Sequence, residues 1–151
     1  AETEARRFEA VRATVPPSRY VFNNTCLDIL AVAAEMMKGE IAYRKGEFDT
    51  AFAHLRKSVE LDDNLPYDEP WGWMQPTRHA LGALLLEQGR VEEAEAVYRA
   101  DLAKNPNNGW AYFGLWKSLA AQKKRVAAPK AERDYLDAWA FADFELERTA
   151  F

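Results

Sequence analysis

The chain has 151 residues, 48% apolar and 29% charged, with 20 Lys and Arg against 24 Asp and Glu. That length suits one domain with a sizeable core, and the mildly acidic balance argues against a broad nucleic-acid or anionic-membrane footprint, which needs clustered basic residues. No apolar run approaches the ~20 residues of a membrane span; the longest candidate, residues 27–37, is interrupted by Asp28 and Glu35.

Cys26 is the only cysteine, which excludes an internal disulfide and a thiolate metal cluster and fits a reducing, cytoplasmic compartment. The polar opening Ala-Glu-Thr-Glu carries no signal-peptide pattern, and the missing initiator Met is what a processed protein or a piece of a longer one would show.

In chain order, residues 2–13 read as a short helix stopped by Pro16-Pro17. Thr25 is placed to cap a long helix through Tyr43, with Leu27, Leu30, Ala31, Ala34, Met37 and Ile41 as its apolar stripe. Gly46 ends it. Asp49 is the expected cap of the return helix, whose buried stripe is Phe52, Leu55 and Val59. Pro76 and Thr77 open a helix ending near Gly89, and residues 91–102 return to the turn cluster 104–109. Residues 110–121 and 129–146 make the last pair, with Pro129 in a first turn. No stretch alternates as strands do, so the expected class is all-α.

Punctuation repeats along this pattern. Gly46 is followed by Ala51 and Leu55, and Gly89 by Ala94 and Tyr98, with the same spacing. Leu81-Gly82 and Leu85 precede the second copy, Pro106 follows it, and a partial third copy opens with Trp110, Phe113 and Gly114. This resembles the tetratricopeptide repeat (TPR), whose signature is W-x2-L-G-x2-Y, then A-x3-F, then P. The resemblance covers roughly residues 28–121; it is strongest in the second copy and weaker in the first, where Lys38-Gly39 stands for Leu-Gly and Asp63 for the Pro. Gly46 and Gly89 are 43 residues apart where ~34 is expected, which places an insertion at residues 65–73. The following interval, Gly82 to Gly114, is 32 residues. Residues 65–90 are also similar to part of long, poorly characterised multi-repeat proteins of bacteria and fungi, a likeness that brings no activity with it.

The resemblance implies a right-handed α-solenoid of about three helix pairs: an N-terminal helix and linker (1–24), repeats (25–121) and a capping helix (129–146), all one domain. Gly82 and Ala94 would let paired helices cross closely, with Leu81, Leu85 and Tyr98 filling the seam. It also implies a concave binding groove bearing Met36, Glu40, Tyr43 and Arg44, then His79, Ala83, Leu86 and Glu87, then Asn108, Ala111, Leu115 and Ser118. Glu40, Arg44, His79 and Glu87 could hold a peptide's polar groups, or Glu40 and Arg44 could be only a helix-surface i,i+4 pair.

The insertion holds Tyr67, Asp68, Glu69, Trp71 and Trp73, constrained by Pro66, Pro70 and Gly72. Aromatic rings beside acids suit a cationic or sugar ligand; alternatively the rings plug the gap the longer connection opens, Trp73 more readily than Trp71. His54 and His79 share no metal-ligand spacing, the carboxylates Asp62, Asp63, Asp68 and Glu69 read as solvated or capping, and Cys26 reads as a small core residue. No Gly-rich phosphate loop is present. The expectation is therefore a non-enzymatic protein- or peptide-binding scaffold, with no metal, cofactor, nucleic acid or membrane, part of a larger assembly or chain. A small-ligand module using the insertion is the alternative, and self-association through open solenoid ends a third.

Overall fold

Helices make up nearly all the regular structure in the computed structural model, which describes residues 1–150. They are α1 (Glu2–Arg12), α2 (Cys26–Arg44), α3 (Phe48–Asp63), α4 (Thr77–Glu87), α5 (Val91–Lys104), α6 (Gly109–Ala121) and α7 (Ala127–Ala138). The chain is all-helical but for a hairpin of β1 (Tyr20–Val21) and β2 (Asn24–Thr25), in which Tyr20 faces Thr25 and Val21 faces Asn24. Strands of two residues have no alternation to display, so the sequence pattern does not reveal them. Among the described residues no helix is long and apolar enough to cross a membrane. Two compact units are distinguishable, residues 1–77 and residue 78 onward.

In the first unit, α2 starts where the Thr25 hydroxyl accepts the Asp28 N–H at 3.0 Å and donates to the Asp28 carboxylate at 2.6 Å. It ends before Gly46, whose φ of +80° is comfortable only without a Cβ. The expected cap of α3, Asp49, lies instead inside its first turn, where a negative charge suits the helix dipole. The capping position is Glu47, which makes no side-chain cap bond.

The apolar stripe of α2 is rotated from expectation. Of its six expected residues only Ala34 is fully buried; the buried set is Val32, Ala33, Ala34, Met36, Gly39, Ala42 and Tyr43. The cause is that α2 packs against both α1 and α3, so it is apolar almost all round and its period does not mark one face. On α3, Phe52 and Leu55 are buried as expected, but Ser58 takes the place foreseen for Val59. Its hydroxyl donates to the Val32 carbonyl at 3.1 Å. At the crossing of α2 and α3, a Cβ on Gly39 would stand 2.7 Å from Leu55 Cγ, so only glycine allows this approach.

In the second unit the seam is Leu81, Leu85, Ala94 and Tyr98, all buried. The Tyr98 ring lies between Gly82 of α4 and Gly114 of α6, where an added Cβ would stand 2.4 Å and 2.1 Å from its Cζ. One aromatic side chain thus keys three helices together. Asn108 starts α6 by accepting the Trp110 N–H at 3.1 Å. Pro129 is the third residue of α7, where its missing N–H costs no helical bond.

The capping helix ends at Ala138, not at residue 146. Trp139 turns the chain back, its indole donating to the Phe144 carbonyl at 2.8 Å while its ring meets Trp110 and Phe144 edge-on at 5.3 Å and 5.4 Å. Past Ala138, Trp139 and Phe144 pack on Trp110 instead of continuing the helix, while Ala142 is exposed. Leu146 then joins Phe113 and Tyr135 in a buried cluster.

Candidate functional site

Two faces, one in each unit, gather the exposed chemistry. On the first unit, α1 lies over α2 and leaves an open cavity of about 720 Å³ between Phe8 and Val11 on one side and Leu30, Met36, Met37, Glu40 and Ile41 on the other. Trp73 and Gln75 close one edge. Burial pushes the Glu40 carboxyl above the usual carboxylate range, and the Arg44 charge opposes this only in part. Tyr43 does not face the cavity's solvent side: it is buried, meeting Phe48 and Phe52 edge-on at 5.2 Å and 6.1 Å. Arg44 is exposed, its guanidinium 5.7 Å from the Tyr43 ring centre.

The insertion is anchored by a residue expected to be solvated. Asp68 is only 5% exposed. Its carboxylate accepts the Asn23 backbone N–H at 3.1 Å and the Asn24 side-chain amide at 2.6 Å. Asn24 also donates to the Pro66 carbonyl at 2.9 Å, and Asn23 to that of Tyr67 at 2.8 Å. The hairpin and the insertion are therefore one polar knot, with a buried charge satisfied by donors from distant sequence. Beyond it, Tyr67 is exposed and its hydroxyl bonds Glu69. Trp71 is 53% exposed. Trp73 is half-buried, and its indole N–H is shielded from water without a hydrogen-bond partner among the described residues.

In the second unit, His79 and Asn108 belong to an internal network rather than an open surface. His79 is 5% exposed. Its Nε2 lies 3.3 Å from Asp101 Oδ2 and 3.1 Å from the Asn108 amide nitrogen. Asn108 donates to Asp101 Oδ2 at 2.8 Å and Asn105 to Oδ1 at 3.2 Å, while Trp110 stacks on the imidazole at 6.4 Å. Asp101 drew no notice in the sequence, because a lone acid on a helix gives no pattern; its partners lie up to 22 residues away. The arrangement braces α4 against α5 and the start of α6. Ala111, Leu115 and Ser118 are buried too, and the Ser118 hydroxyl donates to the Gly114 carbonyl at 2.8 Å.

This unit also has a cavity of about 300 Å³ lined by Ala83, Leu86, Glu87, Phe113 and Lys117, with residues 147–150 as its far wall. Glu87 is exposed and lies 3.7 Å from the Arg148 guanidinium. Among the described residues no group of three His, Cys, Asp or Glu could hold a metal ion. The second histidine, His54, meets Glu35 at 2.6 Å through Nδ1. No protein-family model and no curated protein matches this chain.

Proposed function

We propose that the chain is a protein- or peptide-binding scaffold of the TPR type, a short right-handed solenoid with no catalytic role. In this reading it acts as a module of a larger assembly or chain in a cytoplasmic setting. The observation that carries the reading is a coincidence of register. The residues that the repeat resemblance assigns to the groove include Met36 and Glu40, which line the cavity of the first unit. They also include Ala83, Leu86 and Glu87, which line that of the second. Apolar floors edged by Glu40 in one cavity and by Glu87 and Lys117 in the other, with Arg44 exposed one turn from Glu40, offer a few anchors for a peptide, and few anchors carry most binding energy. The test is a peptide-display selection on the whole chain, followed by calorimetry on Glu40→Ala/Arg44→Ala/Glu87→Ala. The triple variant should bind selected peptides at least ~10-fold more weakly at an unchanged melting temperature, as loss of polar anchors predicts; equal binding removes the groove from consideration.

A second reading, a small cationic or sugar ligand, is favoured by one feature. The cavity of the first unit has the volume of a small-molecule site, and Glu40 and Trp73, whose indole N–H has no hydrogen-bond partner among the described residues, both line it. A metabolite thermal-shift screen tests it: hits that stabilise the parent and not Trp73→Phe would favour this reading over the first.

A further inference from the structure

We propose that residues 143–150 are a displaceable strap, seated on the face of α4 and α6 as a stand-in for an extended peptide with an apolar residue followed, two and three positions on, by a basic and a hydroxyl residue. The inference rests on the peptide-binding reading and specifies what the second unit's face accepts.

Three side-chain anchors hold residues 146–149, and before them the Phe144 carbonyl accepts the Trp139 indole N–H at 2.8 Å. Leu146 is buried against Phe113 and Tyr135. Thr149 is 5% exposed and reaches the interior: its hydroxyl donates to the His79 carbonyl at 3.0 Å and lies 2.7 Å from the Tyr98 hydroxyl. A threonine hydroxyl has one hydrogen, and the carbonyl takes it, so Tyr98 is the donor in the second bond. Arg148 meets Glu87, one of the residues the repeat register places on the groove. Asp143, Phe144, Glu145 and Glu147 are exposed, as is the Arg148 anchor, and the backbone is non-helical. Among the described residues no backbone group of residues 143–150 bonds another backbone group.

That is how a bound peptide is held, by side chains in pockets rather than by a shared ladder. Loose backbone and few anchors make the segment the part of this unit that opens at least cost. The same pocket chemistry then selects its competitor: an apolar side chain for the Phe113–Tyr135 cluster, a cation for Glu87, and a hydroxyl for Tyr98 and the His79 carbonyl. A face that its own chain occupies most of the time binds an outside peptide with affinity reduced by the fraction of time it is open.

The probe is a fluorescein-labelled peptide of residues 142–150, Ala-Asp-Phe-Glu-Leu-Glu-Arg-Thr-Ala, titrated by anisotropy into the full chain. Arg148→Glu/Thr149→Val, which weakens two anchors and leaves Leu146 in place, should bind the probe at least ~10-fold more tightly than the parent. Binding no tighter than the parent's overturns the strap. Glu87→Arg changes an exposed residue only and keeps the test sound if the double variant unfolds. It should prefer a probe carrying Glu at the Arg148 position over the natural one, and the absence of that preference also overturns the proposal. Display-selected peptides that bind the parent and both variants equally would leave the peptide-binding reading intact and remove the strap. A probe that binds in trans as expected, while no foreign peptide does, would do the reverse.

Discussion

The two units solve the same crossing in different ways. In the first, Gly39 of α2 admits Leu55 of α3, and one helix pair is closed by an aliphatic side chain. In the second, Tyr98 of α5 stands between Gly82 and Gly114, so a single ring serves two neighbouring helices. The outer faces differ in the same sense. The first unit's face is a wide cavity under α1, a helix with no buried residue. That of the second is covered by a segment with two buried anchors. The two units thus present one open face and one occupied face, and what differs is how much buried side chain each covering segment commits.

The comparison is tested hardest at the two keys. Tyr98→Ala removes a fully buried ring and leaves Thr149 without its donor. It should cost ~3–5 kcal/mol in denaturant unfolding, more than Leu55→Ala at the simpler crossing, because cost follows the cavity left behind. If Leu55→Ala proves the more damaging, the ring does not key three helices.

Next in size are the glycines that face those side chains. Gly114→Ala sets a Cβ 2.1 Å from a ring carbon confined from both sides, whereas Gly39→Ala meets Leu55 at 2.7 Å. Overpacking of this kind costs ~1–3 kcal/mol. Gly114→Ala should sit at the upper end and Gly39→Ala at the lower, since an aliphatic side chain can change rotamer and an enclosed ring cannot. A neutral Gly114→Ala in thermal melts would mean the α5–α6 seam is slack.

These crossings are the part of the fold most legible in the sequence. The repeat resemblance puts the small residues Gly82 and Ala94 at a close crossing, with Leu81, Leu85 and Tyr98 in its seam. The orientation of α2 is not legible, because a helix covered on two sides loses the polar face that marks its outside. The end of α7 is hidden for a related reason: Trp139 and Ala142 continue a helical period while the chain has already turned, with the Trp139 ring edge-on to Trp110. At the candidate faces, the insertion's aromatics were plain to see. The anchoring role of Asp68 was not, because its partners Asn23 and Asn24 lie 44 or 45 residues away. Thr149 and Leu146 lie in a segment with no periodicity, where only the folded pockets single them out.

The units also differ in how they treat a carboxylate, which acid titration can read. Burial pushes the Glu95 carboxyl up. Hydrogen bonds from Lys124 at 2.7 Å, Gln122 at 2.7 Å and Arg99 at 2.9 Å outweigh it and bring it down to about 2. A carboxyl depressed on folding contributes stability above its unfolded value, lost as pH falls through the folded one. Between pH 4.5 and about 2 the parent should therefore lose stability that Glu95→Gln does not lose. At neutral pH the variant should be weaker by ~1–2 kcal/mol, allowing for the solvent exposure of Lys124 and Arg99. Parallel acid limbs for the two proteins would show that this clamp is not held by charge.

The smallest effect has the opposite sign and belongs to the open face. Glu40 is raised by burial, with Arg44 offsetting only part of it. A carboxyl whose folded value lies above its unfolded one costs stability when ionised, so the penalty is full above the folded value and gone below the unfolded one. Glu40→Gln keeps the shape and removes the charge. It should therefore stabilise the chain at pH 7 by a few tenths of a kcal/mol, solvent screening having cut the effect at a half-exposed site. The gain should vanish as the pH drops below ~4.5, where the unfolded carboxyl also takes its proton. On the peptide-binding proposal, a charge kept at such a cost on the cavity wall serves a partner rather than stability. If the glutamine variant is no more stable at pH 7 than at pH 4, Glu40 bears no such cost, and the open face loses its electrostatic claim to be a binding site.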